Sequence, residues 1–372
     1  MKFLDLQKQQ KIIKKTLDKR MERVLNDSSF IMGPEVRELE NRLRDFSKVK
    51  YAITCASGTD ALMLAMMAMN IGAGDAVFCP SFTFPATAEA IAITGATPIF
   101  VDVGTKTFNI CYKDLERNIE NLENKKLNAK AVLAVDLFGL PANYSKLTKI
   151  AGRYNLKVIS DAAQSYGGKY QNKAVGSLAD ITCTSFFPAK PLGCYGDGGA
   201  IFTDDELLKE NTESLRAHGK GKTKYEIIKI GLNSRLDTIQ AAILLSKLEV
   251  FEAETLEKNR LAEIYNSELS NHYQKPLILK NSKSSWAQYT LKSNKRDKIT
   301  SFLKEQNIPT MIYYPVPMHK QPAYKKYLLK NSQLKNSEKL SSEVFSIPIH
   351  PYLSELQLEY IIENLNKVSK KF

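Results

Sequence analysis

The sequence predicts an α/β protein: a mainly parallel sheet sandwiched by helices, followed by a smaller C-terminal α+β domain. Three observations carry this prediction. Seven short apolar runs alternate with helical patterns over the first two-thirds of the chain, as strand–helix–strand units require. Runs such as Ala131 to Val135 (AVLAV) are apolar without interruption, which fits strands covered on both faces. A long helical pattern free of Pro and Gly then spans Leu236 to Leu269, and the style of the sequence changes beyond it.

Taken in order, strand patterns fall at 51–56 (YAITCA), 75–79 (DAVFC), 98–103 (PIFVDV), 130–137 (KAVLAVDL), 156–160 (LKVIS), 181–186 (ITCTSF) and 199–203 (GAIFT). Helical patterns lie between most of them, at 59–70, 85–94, 113–125 and 143–154. The long 236–269 pattern bridges two domains, a large one over 1–250 and a small one over 251–372. In the small domain the sequence predicts a strand at 286–291 (WAQYTL), a helix at 297–306, a strand at 309–314 (PTMIYY) and helices at 338–345 and 354–369. No internal repeat or low-complexity linker interrupts the chain.

Composition narrows the function class. The 372 residues are 43% hydrophobic and 25% charged, the balance of a globular chain of two or three packed units. No run approaches the ~20 apolar residues of a membrane span, and the N-terminal MKFLDLQKQQKIIKK lacks a signal-peptide core. The net charge of +13 comes from lysines spread along the chain, without the clustered, aromatic-interleaved patches of a nucleic-acid binder. Five cysteines with no C-x-x-C pair and four histidines at no metal-ligand spacing point to reduced thiols, a cytoplasmic location and no metal.

Three segments carry chemistry. Ala56-Ser57-Gly58-Thr59-Asp60 joins a strand to a helix; a helix N-terminus offers free backbone N–H groups to a phosphate, and Gly58 lets the backbone come close. Asp161 ends the strand LKVISD, on the edge where open α/β sheets bind ligands, and a buried carboxylate there needs a cationic partner. Lys190 sits in FFPAKPLGCYGDGG, a Pro- and Gly-rich loop between two apolar strands, and a lysine of lowered pKa suits Schiff-base chemistry. Taken singly, each has an ordinary structural reading: an N-cap, a strand-end cap, a solvated loop lysine. Together they supply what pyridoxal phosphate requires: an amine for its aldehyde, an acid for its ring nitrogen and a cradle for its phosphate.

With these residues the chain resembles the nucleotide-sugar aminotransferases of the DegT family, within the fold-type I pyridoxal phosphate-dependent transferases. The likeness also rests on Gly33-Pro34, Pro80-Ser81-Phe82-Thr83-Phe84-Pro85-Ala86-Thr87, Asp161-Ala162-Ala163-Gln164, Gly231-Leu232-Asn233-Ser234-Arg235, Tyr314-Pro315 and His319-Lys320-Gln321. The resemblance implies that Lys190 holds the cofactor and shuttles protons. It further implies that Asp161 pairs with the ring nitrogen, Gln164 contacts the ring hydroxyl, Gly58, Thr59 and Ser185 hold the phosphate, and Phe84 stacks on the ring. Asn233 matches a residue that reaches the phosphate from the neighbouring subunit, implying a homodimer with shared active sites. Arg235, Tyr314 and His319 fall at substrate-contacting positions. Some members carry His in place of the lysine and act as dehydratases, so Lys190 favours amino transfer. Where many members carry a histidine in the strand-end segment, this chain reads Val135-Asp136-Leu137-Phe138-Gly139, a departure that bears on substrate choice.

Within the family, CTSFFPAKPLGCYGDGGAIFT and NSRLDTIQAAILLSKLEVF are most similar to enzymes that aminate C3 of a UDP-linked 3-keto N-acetylglucosaminuronic acid, for surface polysaccharide synthesis, with L-glutamate as donor. Amination at C4, a dTDP- or GDP-linked sugar, and a non-catalytic regulatory or sugar-binding protein are the rival readings.

Overall fold

The computed structural model describes residues 1–122, 127–223, 225–329 and 332–371. Helices α1 (Leu6–Asp27) and α2 (Pro34–Ser47) lead into β1 (Tyr51–Cys55). Then α3 (Gly58–Ala68), β2 (Asp75–Pro80), α4 (Pro85–Ile93), β3 (Thr97–Val101), α5 (Tyr112–Leu122), β4 (Asn128–Val135), α6 (Tyr144–Arg153) and β5 (Lys157–Asp161) alternate. A small hairpin, β6 (Lys169–Tyr170) and β7 (Lys173–Ala174), precedes β8 (Ile181–Ser185), β9 (Gly199–Thr203) and α7 (Glu206–Leu215). The rest comprises α8 (Thr238–Glu268), β10 (Tyr289–Lys292), α9 (Arg296–Glu305), α10 (Lys335–Glu343), β11 (Val344–Ile347) and α11 (Glu355–Lys371).

The seven expected strands form one sheet in the order β1-β9-β8-β5-β4-β2-β3. Only β9 runs against its neighbours, so β1, β8, β5, β4, β2 and β3 all point one way. Alternate residues of each strand feed two cores. Val77, Cys79, Leu133 and Ile159 pack under α3 and α4, while Ala76, Phe78, Val132 and Val158 pack under α5 and α6. Complete burial of a side chain such as Phe78 is worth roughly 2–3 kcal/mol, so both faces must stay covered.

α8 joins two cores. Its first half (Ala241, Leu244, Leu245, Phe251) packs with Val36, Leu39 and Leu43 of α2 and with Phe202 of β9. Its second half (Leu261, Ala262, Tyr265) packs with β10, β11, α9 and α11. Pairing there corrects the sequence expectation, since 309–314 is not a strand. Pro309 and Pro315 bracket the segment and remove two backbone donors, and Met311 makes a single bridge to Ser346. The strand is instead β11, whose first two residues fall in what read as the end of a helix at 338–345. The helical pattern at 113–125 is seen as α5 to Leu122, and residues 123–125 lie outside the described residues. Helices α1, α2 and α7 were not expected. No helix among the described residues is long and apolar enough to cross a membrane.

Candidate active site

The carboxyl ends of β1, β4, β5 and β8 share one sheet edge, where ligands bind in folds of this kind. The antiparallel β9 starts there: Gly199 stands opposite both Cys55 and Ser185. The segment carrying Lys190 therefore leaves the sheet from β8 and returns to it at β9 on the same edge. Gly193 is required inside it, since a Cβ there would fall 2.5 Å from the Pro188 carbonyl oxygen.

At the end of β1, Ser57 caps α3. Its Oγ accepts from the Asp60 N–H at 3.0 Å, leaving the first turn of α3 facing the edge. A Cβ on Gly58 would lie 2.5 Å from Ser185 Cβ, so only glycine lets β8 close against this turn. Behind it, Glu40 accepts from Thr54 N and Oγ1 at 2.9 Å each and from Arg216 at 2.6 Å. Arg216 also donates to the Thr54 carbonyl at 2.7 Å. This partly buried ion pair fixes the strand that feeds the turn.

Asp161 ends β5, buried, accepting from the Ala163 N–H at 3.1 Å and from Thr87 Oγ1 at 3.3 Å. Burial pushes its pKa up, opposed by the Ala163 N–H, then by the Lys190 charge, then by Thr87. Burial likewise pulls the Lys190 amine down, opposed by the Asp161 charge. Gln164 Oε1 accepts from the Phe138 N–H at 2.6 Å, and its Nε2 donates to the Tyr314 hydroxyl at 2.9 Å. The Tyr314 ring packs on Phe82 and Phe84 at centroid distances of 6.2 and 6.1 Å.

These residues open onto one cavity of about 400 Å³, lined among others by Gly58, Thr59, Phe84, Asp161, Gln164, Ser185, Lys190 and Tyr314. The structure thus brings together eight of the residues named from sequence and leaves three outside. Asn233 and Arg235 lie in the α7–α8 connection, where Arg235 donates to Asn233 Oδ1 at 2.6 Å. His319 is buried between Ser81, 2.6 Å from Nδ1, and Glu338, 3.2 Å from Nε2; burial lowers its pKa against the pull of Glu338. Asp136 also lies outside the cavity. It accepts from Ala142 N (2.8 Å), Tyr144 (2.8 Å) and Ser165 (2.7 Å), and burial pushes its pKa up to about 7. Asp197, Gln288 and Tyr313 line the cavity without having been singled out. Asp197 stood among the glycines of its loop, while Gln288 and Tyr313 come from strand-like patterns that carried no site signal.

The residues present fit pyridoxal phosphate. A glycine-only turn at a helix N-terminus suits its phosphate, and a buried carboxylate suits a protonated ring nitrogen. An amine in the field of that carboxylate suits the aldehyde.

A sequence model of the DegT/DnrJ/EryC1/StrS aminotransferase family matches residues 11–366. A UDP-2-acetamido-2-deoxy-3-oxo-D-glucuronate aminotransferase of Pseudomonas aeruginosa is 43% identical over 360 residues, covering 96% of this chain and 98% of its own. The crystal structure of a DegT DnrJ EryC1 StrS aminotransferase from Brucella abortus superposes with a TM-score of 0.97 at 45% identity, over 99% of both chains. NtdA from Bacillus subtilis, crystallised with bound cofactor PMP, gives 0.88 at 31% identity, over 96% of this chain and 82% of that one.

Proposed function

The chain belongs to the DegT/DnrJ/EryC1/StrS aminotransferase family, and we propose that it uses pyridoxal phosphate to move an amino group from L-glutamate to C3 of a keto nucleotide sugar. The acceptor on this reading is UDP-2-acetamido-2-deoxy-3-keto-glucuronate, made for a surface polysaccharide. One observation carries the cofactor assignment: Lys190, Asp161 and the Gly58–Thr59–Ser185 cradle share one cavity. The likeness to the Pseudomonas aeruginosa enzyme supports the sugar.

Bound there, pyridoxal phosphate supplies a carbonyl to carry the amino group and a ring to take up electrons. The first turn of α3 with Ser185 would seat its phosphate, Asp161 would hold the ring nitrogen protonated, Gln164 would meet the ring hydroxyl and Phe84 would cover one face. Lys190 Nζ is the base and acid of both half-reactions. Its burial favours the neutral amine that can take a proton from the donor's α-carbon, and the same group returns a proton in the second half. Tyr314 and Arg235 are assigned to the substrate; His319, whose ring nitrogens already meet Ser81 and Glu338, is not.

We also read the enzyme as a homodimer in which Asn233 and Arg235 serve the neighbouring subunit's cavity. Supporting this, both lie outside their own cavity, on a connection whose Tyr225 and Ile230 are 84% and 92% exposed. The division into a large domain (1–250) and a small one (251–372) is supported by the separate core around Tyr265 and Tyr289. The unpaired cysteines support the cytoplasm. The test is a panel of UDP-, dTDP- and GDP-linked keto sugars, with L-glutamate as donor, scored by mass spectrometry and by NMR of the aminated carbon. Amine found at C4, or only on a non-UDP sugar, overturns the assignment of substrate. Absence of amine on every sugar overturns the reaction.

A further inference from the structure

α8 carries three ionisable residues on one face, Lys247, Glu254 and Lys258, spaced by whole helical turns. They are 1%, 9% and 7% exposed. Glu254 already has partners: Gln9 Nε2 donates to its two oxygens at 3.0 and 2.9 Å, and the Tyr352 hydroxyl donates to Oε1. Among the described residues, neither lysine has a hydrogen-bond acceptor or a carboxylate within ion-pair distance. Lys247 lies 4.6 Å over the Tyr195 ring, which compensates part of its desolvation. Among the described residues Lys258 has no such neighbour, and it lines a second cavity of about 50 Å³ with Gln9, Glu254 and Tyr352.

The charges in this region do not balance. Asp5 at the rim is matched by Lys2 at 3.2 Å, which leaves two lysines on buried side chains facing the one carboxylate of Glu254. An uncompensated buried charge costs several kcal/mol; burial pulls both amines down, to about 8, against the charge of Glu254. The cavity has room for a small ion and a water, and Gln9 Oε1, buried with no donor, is where that water belongs. Ala189 and Lys190 border this cavity and the main one alike.

We propose that this second cavity binds one monovalent anion of halide or carboxylate size, seated on Lys258 and in the field of Lys247. A solution halide and a carboxylate of the amino donor share this chemistry. The ion site stands independently of the reaction, whereas its use by the donor rests on the function proposed above.

The test takes the holoenzyme through thermal unfolding with increasing sodium bromide, against a bulky sulfonate salt of equal ionic strength, and soaks crystals in bromide. The expected result is a saturable rise in Tm of about 2–4 °C, retained in Lys258→Arg, lost in Lys258→Met, with an anomalous peak beside Lys258 Nζ. A wild-type enzyme with no saturable bromide effect and only water in the cavity overturns the proposal, as does Lys258→Met keeping the full effect. These readouts need no turnover, so they fail separately from the amino-transfer reading. Kinetics of the L-glutamate half-reaction then separate the sources. Bromide raising KM for glutamate in the wild type but not in Lys258→Met assigns the donor carboxylate, and an unchanged KM assigns the halide.

Discussion

Gln164 and Tyr314 are hydrogen-bonded at 2.9 Å across 150 residues of sequence, tying the turn after Asp161 to the chain that follows α9. The same Gln164 is held from the other side by the Phe138 N–H. Tyr314→Phe removes only the hydroxyl and leaves the ring on Phe82 and Phe84. The expected loss is about 1 kcal/mol, read as a rise in substrate KM of severalfold with little change in cofactor retention. Cofactor loss equal to the loss of activity would place Tyr314 on the cofactor instead.

Lys190→Ala should leave the circular dichroism spectrum and melting behaviour close to wild type. Turnover should fall by at least about 10²–10⁴-fold, the usual share of a general acid–base group. Borohydride reduction of the wild-type holoenzyme followed by peptide mass spectrometry should find the label on Lys190 alone.

Gly58→Ala places a methyl 2.5 Å from Ser185 Cβ. Relieving such a clash costs about 1–3 kcal/mol, and here it must come from parting α3 from β8. Cofactor titration should therefore weaken by roughly tenfold or more, with kcat at saturating cofactor less affected.

Asp136 makes a pH prediction. Burial holds its folded pKa at about 7, above the unfolded carboxyl value of about 3.9, so the folded chain binds the proton more tightly. Its stability contribution is fully present below about pH 4, is lost as pH rises toward 7, and is flat above that. Asparagine can keep Oδ1 for Ala142 N and Tyr144 and donate to Ser165. Asp136→Asn should flatten the fall in unfolding free energy between pH 4 and 7, measured by denaturant titration.

If Asn233 serves the neighbouring cavity, two inactive variants should complement. Lys190→Ala and Asn233→Ala, mixed and allowed to exchange subunits, should recover activity that neither has alone. Failure to recover it in verified mixed dimers argues that each cavity is complete within one chain.

The strands of the sheet were legible because burial on both faces makes them apolar throughout, as in Ala131–Val135. The N-terminal helices were not, for the opposite reason: α1 buries only Gln9, Ile13, Leu17 and Val24 among many charges, and α2 owes its place to Leu39 and Leu43 packing on a helix two hundred residues away. β11 was hidden because its four residues sit directly against α10. The shared cavity lining was readable from local chemistry at Gly58, Asp161 and Lys190. Pairs made only by folding, such as Glu40 with Arg216, leave no local trace, and His319 could not be told from a cavity residue until Ser81 and Glu338 were seen to occupy its ring.

The insertion of β9 between β1 and β8 has an evolutionary consequence. Both ends of the Lys190 segment are moored to the same rigid edge as the Gly58 turn, while Tyr313, Tyr314 and Gln288 arrive from beyond α8. Changes in those later segments can retune which sugar is accepted while the amine stays where it is. Selection can thus redirect the enzyme's appetite without rebuilding its engine.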